Sequence, residues 1–505
     1  MTKDEKRVTN DQRRTTKRWM LPGDAALLGG VLVVAGVLRF VGLGGPALIG
    51  DEAYYWLWSR HLGWAYYDHP AGVALLVRAS TALGGRAEAG VRWLNALLGV
   101  GCVFLTYLVG RQMLSRRAGL FASLVVVVGA PYLVTSRFVY TDALFLFLML
   151  VNLCLCWRLV GQRTGGTLSL LGAVKFGVSL ALLFNTKYSA YLYAGALLTA
   201  VLIDHRRLLA DRRFWVGILV GALGLVPVIA WNAVHDWASF RWQLAHATTS
   251  VAAGTSLLGK VYHSLAYLTW PCLALGLAGV GRVRCPAERL LTLVALFLLL
   301  PVALSPADSP RNLIGGLVPL FLLAGARLPS ALKGRAHRPT VALFAAVVLA
   351  TAIYGVGTLA GLHGHPAWPH SSIVPAILRD AAGWRHLGPV LRRYPGTLFA
   401  LDYSIAAQIQ YYAGAPAYTS WGQYRIWGIP EFDGATVVAL DYVSQDQVSA
   451  RLRQAFRRVT GPERLRYAER GVTKDVRIWQ AEGLQLDQEA FLQRFDFLTL
   501  LEASR

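Results

Sequence analysis

Residues 50–70 read GDEAYYWLWSRHLGWAYYDHP. Two adjacent carboxylates, Asp51 and Glu52, follow a long apolar run. Tyr54, Tyr55, Trp56, Trp58, Trp64, Tyr66 and Tyr67 come next, and Asp68-His69-Pro70 closes the stretch. Aromatic side chains with a polar tip and an apolar body suit a membrane–water interface. Carboxylates there are costly unless they meet water, a cation or a reacting group. The stretch therefore reads as an amphipathic loop on a membrane surface with a reaction centre at its start. Asp51, Tyr54, Tyr55 and Trp58 fall on one helical face, and His69-Pro70 is expected to break that helix. A second amphipathic piece, from about Gly72 to Leu83, follows it on the membrane.

Outward from this loop the chain is too apolar for an ordinary soluble enzyme. Of its 505 residues 55% are hydrophobic and only 15% charged. Runs of about 20 apolar residues mark helices that cross a bilayer. They lie near 24–44, 90–110, 118–136, 139–158, 168–185, 188–203, 214–234, 257–280, 288–304, 311–327 and 340–361, eleven expected spans. Residues 1–20 read as a disordered, basic cytoplasmic tail rather than a cleavable signal. The formal charge of +22 does not indicate nucleic acid, because the cations cluster in short connections between spans. Cys102, Cys154, Cys156, Cys272 and Cys285 show no disulfide framework and no zinc spacing.

The basic connections set an orientation. Arg111, Arg116 and Arg117 lie in one, Arg206, Arg207, Arg212 and Arg213 in another, then Arg282 and Arg284, then Lys333, Arg335 and Arg338. By the positive-inside rule these face the cytoplasm with the tail. The aromatic loop, 137–142, 185–187, 235–260 and everything after 362 then lie outside. From about residue 363 charged residues return. Short strand-like runs at 397–401 and 436–440 alternate with helical patterns near 374–394 and 446–458. This reads as a small α/β domain, residues 363–505, on the outer face of a mainly α, polytopic membrane domain spanning 21–362, whose first outer loop is 46–89.

All candidate chemistry falls on that one face. A carboxylate at Asp51 can take a proton from an acceptor hydroxyl or orient it. Glu52 supports it in the functional reading; in the plainer one it offsets the free N–H groups of a helix start. Asp142, opening another span, either assists the acceptor or caps its helix. Arg60, His69, Arg137, Lys187 and Arg241 are cations that could meet a departing phosphate, which needs charge and donors but little acid catalysis. Lys187-Tyr188 sits between two apolar runs, where an unpaired Lys is expensive unless it snorkels. His235, in WNAVHDW, and Arg241 line either a lipid-phosphate entrance or an aromatic belt. Tyr67 and Asp68 belong to the first loop's closing turn. In the C-terminal domain Tyr424 and Arg425, in QYRIW, form a polar–aromatic cluster suited to a sugar ring or to packing on the membrane part.

DEAYYWLWSRHL…YYDHP, SRFVYTDALFLF, NTKYSA and PVIAWNAVHDWASFRWQL, in this order, resemble the bacterial branch of the protein-mannosyltransferase-like superfamily, which includes the aminoarabinose transferase of lipid A. The resemblance covers roughly residues 25–330, and APAYTSWGQYRIW is similar to a later segment of many members. It implies a GT-C fold with about eleven transmembrane helices and two juxtamembrane helices in the first loop. It implies an inverting glycosyltransferase that takes a polyprenyl-phosphate sugar at the outer face of the bacterial cytoplasmic membrane. The acceptor would be a hydroxyl of lipid A, a lipid-linked glycan, a cell-wall polymer or a protein. The family's first-loop Asp falls on Asp51, its second acidic site on Asp142, and its donor-phosphate cation on His69, which is followed here by Pro70 and Ala71. Where the family carries a lysine near 305–312 this chain reads SPADSPRN, with Arg311 as the cation. It implies no definite cofactor, and a divalent cation stays an option for the carboxylates. Rival readings are a lipid-linked-sugar flippase, whose ionisable groups would sit near span centres, and a glycan-binding membrane protein.

Overall fold

The computed structural model describes residues 22–165, 168–248, 269–305, 310–331, 337–365, 370–441 and 443–495. The tail at 1–20 and most of the connection and span read at 249–268 lie outside the described residues, as does the side chain of Arg311.

Each apolar run that is described forms helix. Glu88–Met113, Thr141–Gly161, Arg212–Val234, Pro286–Leu304 and Ala345–Leu362 are long and apolar enough to cross a membrane. Arg116–Val128 and Ala130–Arg137 form a sixth such unit, bent by 63°. Shorter apolar helices account for the runs at Ala25–Phe40, Leu170–Phe184, Ser189–Asp204 and Ile314–Arg327. The expected eleven thus counts helices that length alone does not qualify as spans. The bundle exposes large apolar side chains, among them Val33, Leu171, Leu219, Leu223, Leu277, Leu304 and Leu343. A surface of this kind is stable against lipid, and the chain is a multi-pass membrane protein. Polar side chains inside the bundle pair across helices at Asn152. Asn152 donates to Ser179 Oγ (2.8 Å) and to the Phe176 carbonyl (3.1 Å), and Tyr193 donates to Asn152 (3.0 Å). Such bonds tie helices together where lipid tails provide no hydrophobic contrast.

The bend near Gly129 has a chemical anchor. Arg39, fully buried, donates to the carbonyls of Val126 (2.9 Å) and Val127 (3.4 Å), at the end of Arg116–Val128. Arg137 in turn donates to the carbonyls of Leu38, Arg39 and Val41, at the end of Pro22–Phe40. Arg137 holds the carbonyl end of Arg39's helix, and Arg39 holds that of Arg116–Val128, the other half of the bent unit; at such ends the last C=O groups lack intrahelical partners and carry partial negative charge. Arg137, expected as a phosphate ligand, is therefore a buried helix cap.

In the first loop Gly50–Arg60 and Gly72–Gly84 are helices, as expected. The first ends at Arg60, earlier than His69-Pro70. Residues 61–71 form a tight excursion closed by the Ala65–Pro70 bridge, with Tyr66 N–H bonded to the His69 carbonyl (2.9 Å).

The C-terminal domain holds a five-stranded mixed sheet in the order β2-β1-β3-β5-β4. β1 (Thr397–Ala400) runs parallel to β2 (Ala417–Tyr418) and β3 (Gly434–Leu440). β4 (Phe456–Glu469) and β5 (Val472–Leu484) form a long antiparallel hairpin against β3. The sequence reading named β1 and β3 but missed this hairpin. Its alternation is masked by arginines on the open face, and its turn is marked only by Arg470-Gly471, both at positive φ. The expected helix at 374–394 is two, Ile373–Ala381 and Trp384–Leu391.

The period-two pattern of strand β1 points Leu398 and Ala400 to one face and Phe399 to the other. Phe399 joins Val437, Trp479 and Phe491 in the domain's own core. Leu398 and Ala400 join Trp384, Ile405 and Ile409 in a cluster that continues through Tyr54, Tyr55, Trp58 and Tyr66 of the first loop. Domain and loop share one core. The contact is close: a Cβ on Gly50 would lie 2.2 Å from Ser404 Cβ. Gly50→Ala is expected to cost about 1–3 kcal/mol by overpacking, read as a lower thermal unfolding midpoint. An unchanged midpoint would mean the two parts separate freely.

Candidate active site

The site is built on the Gly50–Arg60 helix, and Glu52 fastens it. Glu52 is fully buried and bonds Arg92 through both oxygens, at 2.8 and 2.5 Å. It also accepts the N–H groups of Ile49 (3.2 Å) and Val139 (2.9 Å). Arg92, equally buried, spends its other donors on the carbonyls of Leu43, Pro46 and Ala47, and its guanidinium lies 4.7 Å from the Phe138 ring centre. Desolvating these charges is expensive, and only this full set of partners makes it tolerable. Glu52 was expected beside the reaction. Instead it pins three backbone segments together, which is the plainer helix-start reading extended by a buried ion pair.

Asp51, one residue earlier, is partly exposed. Its Oδ1 accepts a hydrogen bond from Tyr403 of the C-terminal domain (2.9 Å). The Gly50 N–H donates to Asp380, from the same domain (2.8 Å). Asp68 lies nearby with its carboxyl turned onto the Tyr54 hydroxyl (2.8 Å). The Tyr54 ring packs on Tyr403, with centroids 4.7 Å apart, and stacks parallel to Tyr424 at 6.2 Å. Tyr403 packs on Trp421, and Trp421 on Trp242, each at 4.8 Å. Tyr67 contacts both tryptophans, and its N–H donates to Gln423 (2.7 Å). Two carboxylates thus sit in one aromatic wall contributed by the first loop, the Ala238–Thr248 helix and the C-terminal domain.

Burial pushes the Asp68 carboxyl up to about 7, against the hydrogen bond of Tyr54 and the nearby Trp421 indole, and the neighbouring Asp51 charge acts in the same direction as burial. Burial likewise pushes Asp380 up to about 6, with Lys474 opposing. A carboxyl that holds its proton longer when folded stabilises the fold fully below its ordinary value of 3.8, and this contribution is lost as pH rises through about 7. Between pH 4 and 7 the unfolding midpoint of the wild type should therefore fall relative to that of Asp68→Asn. Parallel curves would remove the proton from Asp68.

Asp142 and Lys187 are brought together as a buried ion pair at 2.8 Å. The pair stands beside the first loop's closing turn, where the Gly72 N–H donates to the Asn185 carbonyl (2.7 Å). Tyr188 packs its ring on Phe240 and Tyr191. His69 is partly buried between Asp68 and Pro70. The remaining expected ligands are engaged elsewhere. His235 stacks on Trp231 and bonds its carbonyl, Arg241 pairs with Asp236 at an exposed site, and Arg425 pairs with Glu489. Arg60 is exposed at the end of its helix, while Tyr424 is buried with its hydroxyl on the Tyr403 carbonyl (3.2 Å). Among the described residues no group of three or more His, Cys, Asp or Glu is arranged to hold a metal ion.

Sequence reasoning missed Arg92, Asp380, Tyr403 and Trp421. Arg92 carried a signal, a cation one turn into an apolar run. Trp421 lay in the quoted segment APAYTSWGQYRIW, while Asp380 and Tyr403 carried none, since they reach the first loop across more than 300 positions.

Residues 68–231 match the family described as dolichyl-phosphate-mannose-protein mannosyltransferase. Over 193 residues the chain is 28% identical to the lipid A galacturonosyltransferase RgtD of Rhizobium johnstonii, a match that covers 38% of this chain and 40% of that protein. The structure is similar to that of ArnT from Cupriavidus metallidurans in the apo state, with a TM-score of 0.60 at 17% identity, over 90% of this chain and 98% of that one. The form bound to undecaprenyl phosphate gives 0.57 with the same coverage. The resemblance to the protein-mannosyltransferase-like superfamily is borne out, and the fold is that of the GT-C glycosyltransferases.

Proposed function

We propose, from this GT-C fold and its protein-mannosyltransferase-like sequence, that the protein is an inverting glycosyltransferase using a polyprenyl-phosphate sugar. The observation that carries the reading is the carboxylate pair Asp51 and Asp68, set in an aromatic wall at the junction of first loop and C-terminal domain. Asp51 takes the proton of an acceptor hydroxyl. The acceptor oxygen bonds to the anomeric carbon from the face opposite the phosphate, the carbon–oxygen bond to phosphate breaks, and polyprenyl phosphate leaves with the electron pair. The adjoining turn, with Asp68 and His69, faces the phosphate. Asp68 in its protonated form donates a hydrogen bond without adding negative charge. The Asp142–Lys187 pair and Tyr188 support that turn from behind. Charge distribution supports placing this end of the bundle outside the bacterial cytoplasm, because the arginine-rich connections lie at other turns of the chain. A lipid or glycan hydroxyl is the acceptor class favoured by the similarity to RgtD.

The test uses purified protein and undecaprenyl phosphate esterified to a neutral, an acidic or an amino sugar, with membrane extract as acceptor. Release of undecaprenyl phosphate together with a glycosylated product is expected for one of the three. Binding or transbilayer movement of the lipids without release from any of them would replace this reading with the flippase.

A further inference from the structure

We infer that the C-terminal domain completes the reaction centre, with Tyr403 as a positioning residue that orients the Asp51 carboxylate. The inference rests on the function proposed above and adds a residue on which sequence comparison with the first loop is silent. Tyr403 opens the helix Tyr403–Ala413, whose start is fixed by Asp402 accepting from the Ser404 N–H (2.6 Å). Its ring is wedged between Tyr54 and Trp421, at 4.7 and 4.8 Å, so its hydroxyl has one place to go: Asp51 Oδ1, at 2.9 Å. The same helix grips the chain just before Asp51. Gln408 donates to the Leu48 carbonyl (3.0 Å), and the Tyr412 hydroxyl accepts the Leu48 N–H (2.6 Å). Asp380 takes the Gly50 N–H, and Lys474 donates to the Asp380 carbonyl while covering the Trp384 ring.

A carboxylate on a helix start turns about two bonds. Fixing one oxygen by a rigid phenol restricts both rotations and presents the other oxygen in a single direction. Pre-set orientation of this kind matters most in the transition state, where a misplacement of about 1 Å can cost about 100-fold in rate. Donor affinity depends on other contacts, so the effect belongs in kcat rather than KM.

The experiment compares full-length wild type, Tyr403→Phe, Asp51→Asn and the double variant. Turnover of the three undecaprenyl-phosphate sugars and thermal unfolding are both measured. Tyr403→Phe keeps the ring and its packing, and is expected to lower kcat by about 10- to 100-fold with KM within about twofold of wild type. In the Asp51→Asn background the Phe substitution should lower residual turnover no further. In a parallel cycle with Asp51→Ala, which removes the accepting oxygen, the shifts in unfolding midpoint should be non-additive, because the two side chains share one bond. Wild-type kcat in Tyr403→Phe, or an equal loss in both backgrounds, would overturn the inference. Should the wild type turn over none of the sugars, the proposed function fails instead. The unfolding cycle then decides the contact on its own, with additive shifts refuting it.

Discussion

Asp51→Asn is expected to lower sugar transfer by at least about 10²- to 10⁴-fold, the range that loss of a positioned proton acceptor produces, with little change in folding. The side chain is nearly isosteric and partly exposed, and Tyr403 reaches it with a neutral hydroxyl. An amide oxygen still accepts from Tyr403, so the wall of rings keeps its shape. What the amide loses is basicity toward an acceptor hydroxyl. Parallel measurements of undecaprenyl-phosphate release and thermal unfolding separate these effects. Retained turnover with intact folding would shift the base to Asp68, whose carboxyl is held by Tyr54 in the same wall.

The second large effect is on stability. Arg92→Ala should destabilise the protein by about 3–5 kcal/mol, the usual consequence of leaving one member of a buried ion pair alone. Glu52 has no exposure through which water could replace the guanidinium. The carbonyls of Leu43, Pro46 and Ala47 lose their donor at the same time. Arg385→Ala is the control: that arginine also reaches backbone carbonyls and a carboxylate, Glu88, but its side chain is 36% exposed and water can substitute. Unfolding midpoints in detergent should fall much further for Arg92→Ala than for Arg385→Ala. Equal shifts would deny the Glu52–Arg92 clamp its place at the base of the site. Glu52→Gln should follow Arg92→Ala, since it removes the charge that compensates the arginine.

These two neighbours show how much of the site was legible. Asp51 and Glu52 are chemically alike and adjacent, and sequence made both candidates for the reaction, with a helix-start reading beside it for Glu52. The fold separates them by about 100° of helix rotation. One carboxylate turns toward the C-terminal domain and remains reachable, and the other turns into the bundle onto Arg92. Arg137 and Asp142 tell the same story, since each is a candidate by position and a structural partner by geometry. Lys187 was costly as an unpaired cation in the sequence, and its cost is met by Asp142, a pairing across 45 positions.

The sequence by itself determined the membrane domain, the first loop with its two helices, and an α/β domain after about residue 363. Those features are written in local pattern: runs of apolar residues, helical spacing, and changes of composition. Tertiary contacts alone separate the charge that stays reachable, Asp51, from those that hold the fold, Glu52, Arg92 and Arg137. They also bring Asp380, Tyr403 and Trp421 of the C-terminal domain against the first loop. The physical reason is that a charged group's role depends on what surrounds it after burial. Those surroundings come from segments hundreds of residues apart, brought together by a shared aromatic core rather than by local pattern.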